Sequence, residues 1–252
     1  MALQKTEAII LKSQNQGETS KILTVYTKTS GKIKLIAKGA RSSKSKFGGS
    51  LEPLNLIFMV FYEKENRDLQ FLSQADILES FPHIRADLKR MALAMAAVEL
   101  VNRLEVGNAH NPVLFKLLLE TLKAINRVKL RPDNCLRAFL VRVLEVLGFK
   151  PNFQRCLYCK KPPTGNVGFD LARGGFICET CSQGRLSGFR LTSEVLSALR
   201  AFQVLAFSRL ENYLTNSLAQ QQADHFLLQY YRYHVEGFYD LNALQFLKKI
   251  DL

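Results

Sequence analysis

The spacing of apolar residues changes once along the chain, close to residue 81. Before that point apolar and polar residues alternate in short runs with the two-residue period of half-buried strands. Five strands are expected, over residues 6–12, 21–28, 32–38, 54–62 and 69–78, with Gly17, Gly31 and the pair Gly48-Gly49 as punctuation. From Phe81 onward the period lengthens to that of helices, and Pro82 marks the junction. A helix is expected over 84–106. A second has Asn111 as N-cap and Pro112 at its first position and runs to about residue 128. A third covers 132–147 and stops at Gly148. Further on, Thr192 caps a helix reaching about residue 207, with Glu194 in its first turn, and a last helical stretch covers 211–237.

This order predicts an α+β multidomain chain. Five short strands in about eighty residues suit a small Greek-key barrel of the oligonucleotide-binding (OB) type, with an SH3-like barrel as the structural alternative. Residues 1–80 are expected to form that barrel. Residues 81–150 and 190–252 form an all-α domain, interrupted by an inserted module at 151–189.

The insert carries the strongest motif. Cys156-Leu157-Tyr158-Cys159 and Cys178-Glu179-Thr180-Cys181 are two knuckles with the spacing of a four-cysteine zinc site. Four thiolates complete a tetrahedral shell with no open position for water, so one structural Zn2+ ion is expected rather than a reactive one. The stretch between them has little apolar material, and metal binding would supply its stability. A lone pair would suffice for a redox dithiol. Cys135, alone in a helix, reads as a small core residue.

Charge narrows the partner. The chain holds 35 Lys and Arg against 22 Asp and Glu, a formal net charge of +13, which predicts a polyanion. The surplus is segregated. Lys28, Lys32, Lys34, Lys38, Arg41, Lys44 and Lys46 follow one another with no acidic residue between them. Alternation of Ile33, Leu35 and Ala37 with Lys32, Lys34 and Lys38 puts these lysines on one strand face. The stripe runs into a small-residue loop, expected to be flexible, whose Phe47 could stack on a base. A solvated lysine face is the plainer alternative. A second cationic group, Arg127, Lys129, Arg131, Arg137 and Arg142, falls among the helices.

Other classes find little support. The longest apolar runs are far shorter than the roughly 20 residues of a membrane span, and the N-terminus shows no secretory signal, so a cytoplasmic protein with reduced cysteines is expected. His83, His110, His225 and His234 have no sequence-adjacent nucleophile or ligand, and no phosphate-binding glycine motif is present. Glu63, Glu65 and Asp68 read as a solvated hairpin rather than a metal-binding carboxylate cluster. No enzymatic activity is expected.

Several ordered segments carry a resemblance: Glu7-Ala8-Ile9-Ile10-Leu11-Lys12, Gly17-Glu18-Thr19-Ser20, Thr29-Ser30-Gly31-Lys32, Ala37-Lys38-Gly39-Ala40-Arg41, Lys44-Ser45-Lys46 and Leu51-Glu52-Pro53-Leu54. The paired cysteines, Tyr230-Tyr231-Arg232-Tyr233-His234-Val235-Glu236-Gly237-Phe238 and Leu244-Gln245-Phe246-Leu247 continue it. Taken in this order the chain resembles the RecO family of bacterial recombination mediators over essentially its whole length. The resemblance implies an OB fold, a helical domain and a zinc module. It implies binding of single- and double-stranded DNA, strand annealing, and recombinase loading on DNA coated by single-strand-binding protein, with RecR and sometimes RecF as partners. Lys32, Lys34, Lys38, Arg41, Lys44 and Lys46 would then hold backbone phosphates of two strands. Arg127, Arg131 and Arg137 would receive the acidic tail of single-strand-binding protein, with solvated helix faces as the alternative. Tyr231, Tyr233 and His234 read with Phe226 and Phe238 as core packing. A zinc-ribbon RNA-binding or translation-associated factor is the rival reading, since barrel, basic loop and cysteine site serve there too.

Overall fold

A computed structural model describes residues 2–64, 67–104, 111–183 and 188–250, without the side chains of Lys248 and Ile250. Glu65 and His110, and the expected end of the first long helix at 105–106, lie outside the described residues. The chain divides into two compact units, residues 1–127 with 241–252, and residues 128–240.

The first unit is built on a closed barrel in the order β1-β2-β3-β5-β4. Its strands are β1 (Ala2–Gln16), β2 (Ser20–Thr27), β3 (Gly31–Ala37), β4 (Leu56–Glu63) and β5 (Leu69–Glu79). β1 is twice the expected length because it serves both edges. Its first half pairs antiparallel with β4 and its second with β2, and the register shifts between Ile10 and Lys12. Such a bulge bends the strand, which lets one strand close a small barrel. All contacts are antiparallel except β3 with β5.

Alternation then sorts the side chains. Ala8, Ile10, Leu23, Val25, Leu35, Ala37, Ile57, Met59, Phe61 and Leu72 point inward and are buried. Phe47 and Leu51 join this core from the connection between β3 and β4. The loop expected to be flexible is a wound, bonded segment. Ser42 and Ser45 amides donate to Gly39 and Ser42 carbonyls, Ser50 N donates to Phe47 O, and the Asn55 side chain donates to the carbonyls of Gly49 and Ser50.

The helices α1 (Pro82–Arg85), α2 (Leu88–Arg103), α3 (Pro112–Arg127) and α8 (Asn242–Ile250) complete this unit. The single helix expected from residue 84 is split because Asp87 caps a new start, accepting from the Arg90 amide. Asn126 Oδ1 accepts from the amides of His83 and Ile84 and so holds the short α1. Asn111 accepts from Leu114 N at the head of α3, as expected. The amphipathic α8 lies outside the expected helices. Its first amides, of Asn242 and Ala243, donate to the Glu99 carboxylate on α2.

The second unit holds α4 (Pro132–Val146), α5 (Ser193–Val204), α6 (Phe207–Leu210) and α7 (Ser217–His234), with a three-stranded sheet of order β7-β6-β8. Those strands are β6 (Val167–Asp170), β7 (Gly175–Cys178) and β8 (Phe189–Leu191). Thr192 caps α5 as expected, and Asn216 caps α7 by accepting from Ala219 N. The cysteine stretch, expected as an insert at 151–189, packs against the helices of its own unit. Phe153, Phe169 and Phe176 of the cysteine stretch are buried, and Phe153 and Phe169 meet Phe226 and Tyr230 of α7 in tilted and edge-on ring contacts. The stretch therefore has its own apolar anchor in the helices.

Candidate nucleic-acid interface and metal centre

The barrel's outer surface is set by register. Ile22 on β2 faces Ile36 on β3, which faces Phe71 on β5, which faces Tyr62 on β4, which faces Leu3 on β1. These five residues form one outward row, partly or fully exposed, and the Tyr62 and Phe71 rings lie 6.0 Å apart. One step along the strands runs a parallel row of Lys12, Thr24, Lys34 and Leu69. Lys38 continues β3 on the far side of Ile36. The result is an aromatic and aliphatic strip edged by cations, the combination that stacks bases and holds phosphates in single-strand binding.

The expected cations divide by what they already touch. Lys34, Lys38, Lys44 and Lys46 are exposed, with no carboxylate at ion-pair distance among the described residues. Lys46 also sits 5.4 Å over the Phe47 ring. Arg41 is exposed, but its Nη1 donates to Gly17 O, pinning the β1–β2 hairpin. Lys28 pairs with Glu7. Lys32 is turned away from the stripe. Its Nζ donates to Asn102 O and Leu104 O at 2.9 and 2.8 Å, satisfying carbonyls at the end of α2. Phe47 is not a stacking residue: it is 4% exposed inside the barrel. The residues that sequence reasoning missed are Lys12, Tyr62 and Phe71. Only strand register brings them beside Lys34, and no local signal in the sequence carries that register.

The helical cations also divide. Arg127 ends α3 in the first unit and is exposed. Arg131, at the head of α4 in the second, donates to Glu211 O. Arg137 leaves the expected tail-binding surface altogether: it is 8% exposed and makes two bonds to Asp224, at 2.7 and 2.8 Å. Burial disfavours its charge, but the bonds to Asp224 more than offset this and hold its pKa above the ordinary value. Arg142 is likewise spent on Phe202 O and Leu205 O, with its guanidinium over the Phe207 ring. Tyr231 and Phe226 are core residues, as expected, whereas Tyr233 is exposed. His234 is half-buried, its Nε2 2.8 Å from Leu171 O and its ring stacked on Phe149.

The four cysteines converge. The sulfurs of Cys156, Cys159, Cys178 and Cys181 all lie within 4.8 Å of one another. The two knuckles are built alike: Lys160 N donates to Cys156 O, and Ser182 N donates to Cys178 O, four residues on in each case. Lys160 takes the left-handed conformation that lets the first turn close. A tetrahedral ion bonded to four thiolates at about 2.3 Å separates its sulfurs by about 3.8 Å. Cys159 and Cys178 Sγ are 3.8 Å apart, far beyond a disulfide. The donor set fits a closed metal site. Burial opposes a thiolate at Cys156, yet amide donors from Cys178, Tyr158 and Cys159 outweigh it and bring its pKa to about 6. At Cys181, hydrogen bonding with Cys178 and Cys159 pushes the thiol up to about 12. Shared protons of this kind are what a metal displaces.

No helix among the described residues is long and apolar enough to cross a membrane.

Two family descriptions match the chain in order, meeting near the end of the barrel strands. The family description "Recombination protein O N terminal" matches residues 1–81, and "Recombination protein O C terminal" matches residues 85–242. The chain is similar to the DNA repair protein RecO of Halalkalibacterium halodurans, 33% identical over 206 residues, covering 82% of this chain and 80% of that one. It is similar to RecO of Alkaliphilus metalliredigens, 30% identical over 248 residues, 98% and 99% of the two chains. It is also 34% identical over 200 residues to RecO of an Anaeromyxobacter strain, 79% and 78% of the two. With both halves matched in order, the chain belongs to the RecO family of recombination and DNA repair proteins.

Proposed function

We propose that the protein is a DNA-binding recombination mediator whose barrel, of OB type, anneals complementary strands and assists recombinase loading on DNA coated by single-strand-binding protein. The observation that carries this reading is the Ile22, Ile36, Phe71 and Tyr62 strip, edged by Lys12, Lys34 and Lys38. The strand order with β3 parallel to β5 supports the OB assignment over an SH3-like barrel. Bases lie on Tyr62 and Phe71 while Lys34, Lys38, Lys44 and Lys46 neutralise phosphates. With two strands held this way, mutual repulsion falls and pairing is tested by the bases themselves. Such contacts are salt-sensitive and carry little sequence information.

The cysteine site is assigned one structural Zn2+, which when bound supplies cross-linking of the two knuckles and no chemistry at an open position. RecR is the expected partner, with RecF as a further one, and the protein acts in the cytoplasm at the nucleoid. The acidic tail of single-strand-binding protein is a further expected partner, bound without Arg137, which Asp224 holds.

The combined variant Lys34→Ala, Lys44→Ala, Lys46→Ala tests the barrel. Its affinity for single-stranded DNA should fall, and the slope of log affinity against log salt should flatten by about 2, at about 0.7 per phosphate contact. Annealing of complementary oligonucleotides should slow in parallel. Unchanged affinity and slope would sink the assignment. Tighter binding to RNA of the same sequence, without annealing, would return the protein to the RNA-binding reading.

A further inference from the structure

Tyr158 lies between the two cysteines of the first knuckle, in a turn too tight to bury it, and is 57% exposed. An aromatic ring held outward on a closed turn offers a surface on which an unpaired base can stack. Arg173, in the turn between β6 and β7, reaches it. Its Nη1 donates to the Tyr158 hydroxyl at 2.8 Å, and its guanidinium stands 5.7 Å from the ring centre. Arg173 also lies 3.8 Å from Asp170, which orients it without burying it.

The surroundings are basic. Arg155 and Lys161 bracket the first knuckle and are exposed, with no carboxylate at ion-pair distance among the described residues. Lys160 is exposed too, its Nζ folded onto Leu157 O. Against these stands Glu179, exposed in the second knuckle. The knuckle backbone is fixed from both sides: Leu157 N donates to Phe176 O and Cys156 N to Lys161 O. The knuckle backbone is therefore a rigid frame on which Arg173 holds Tyr158, which lowers the ordering cost of a contact.

We infer that the first knuckle is a second contact for single-stranded DNA, in which an unpaired base stacks on Tyr158 while Arg155, Lys161 and Arg173 take adjoining phosphates. The chemistry repeats that of the barrel strip, an aromatic edged by cations, in the other unit of the chain. This inference rests on the DNA-binding reading of the protein. It gives one chain two single-strand contacts, one in each unit.

The test uses the full-length, metal-loaded protein and a single-stranded oligothymidylate followed by fluorescence anisotropy over a salt series. Tyr158→Ala should weaken binding roughly five-fold or more, the scale of a lost base–aromatic stack, while Tyr158→Phe, which keeps the ring and loses the hydroxyl, should bind as the parent does. The combined Arg155→Ala, Lys161→Ala, Arg173→Ala variant should flatten the salt slope by about 2. Bound metal per chain and melting temperature should match the parent in all three, which separates contact from folding. A 5-iodouracil oligonucleotide should photocross-link to the peptide containing Tyr158. Parent-like affinity and slope in the knuckle variants, beside a barrel variant that binds poorly, would overturn the knuckle and leave the barrel reading intact. Loss in the knuckle variants beside a normal barrel variant would keep the knuckle and overturn the barrel. Parent-like binding by all of them would overturn both.

Discussion

Lys32 and Lys34 are two residues apart on one strand, and the sequence treats them alike. Their neighbours separate them: Lys34 meets solvent across from Leu69, while Lys32 meets the carbonyls of Asn102 and Leu104. Removing a donor from such carbonyls leaves them unsatisfied, at a cost of about 1–3 kcal/mol. Lys32→Ala should therefore lower the melting temperature with a small change in DNA affinity, whereas Lys34→Ala should do the reverse. Chemical denaturation beside an oligonucleotide titration separates the two, and a large affinity loss in folded Lys32→Ala would return it to the interface. Arg137 and Phe47 teach the same lesson. A cation on a helix or a ring in a basic loop looks available until Asp224 or a barrel core is found to hold it.

Among the elements, α3 and α5 were legible from caps in their own sequence, and α8 was not. Asn111 with Pro112, and Thr192 with Glu194, announce α3 and α5 through local bonds to their own first turns. The head of α8 has no such signal of its own, because its amides are taken by Glu99 from α2, well over a hundred residues earlier in the chain. Glu99 is in turn bonded to Arg103. Glu99→Ala should loosen α8 by about 1 kcal/mol, the usual worth of a cap. Limited proteolysis would read this as faster cleavage near Leu241, with α3 unaffected; equal rates would show the cap to be redundant.

For the whole molecule the question is how far a metal held by the four cysteines would carry the fold. A module without apolar anchors would unfold with loss of its ion. Here Phe153 and Phe169 are seated against Phe226 and Tyr230, so part of the stretch is held independently of the sulfurs. Gly174 shows how close the packing is: an added Cβ would lie 2.7 Å from the Tyr230 hydroxyl. Chelation, or Cys156→Ser with Cys159→Ser, should lower the melting temperature of residues 128–240. Amide exchange should rise at 155–161 and 178–183, while Leu136 to Leu144 of α4 stays protected. Exchange throughout α4 at the same rate would make the metal a condition of the whole unit.

Local pattern settled what depends on neighbours in sequence. The two-residue and helical periods, the caps and the paired cysteine spacing placed the barrel strands, most helices and the four-cysteine cluster, because each leaves its mark within a few consecutive residues. Charge order marked the basic stripe. Tertiary structure alone decided which cations face solvent, that Tyr62 and Phe71 lie in one row with Ile22 and Ile36, that Glu99 caps α8, and that α1 to α3 and α8 join the barrel in one compact unit. Those outcomes depend on strand register and on packing between distant segments. A single-residue slip in register turns every side chain to the opposite face, and nothing local to the strand prevents it.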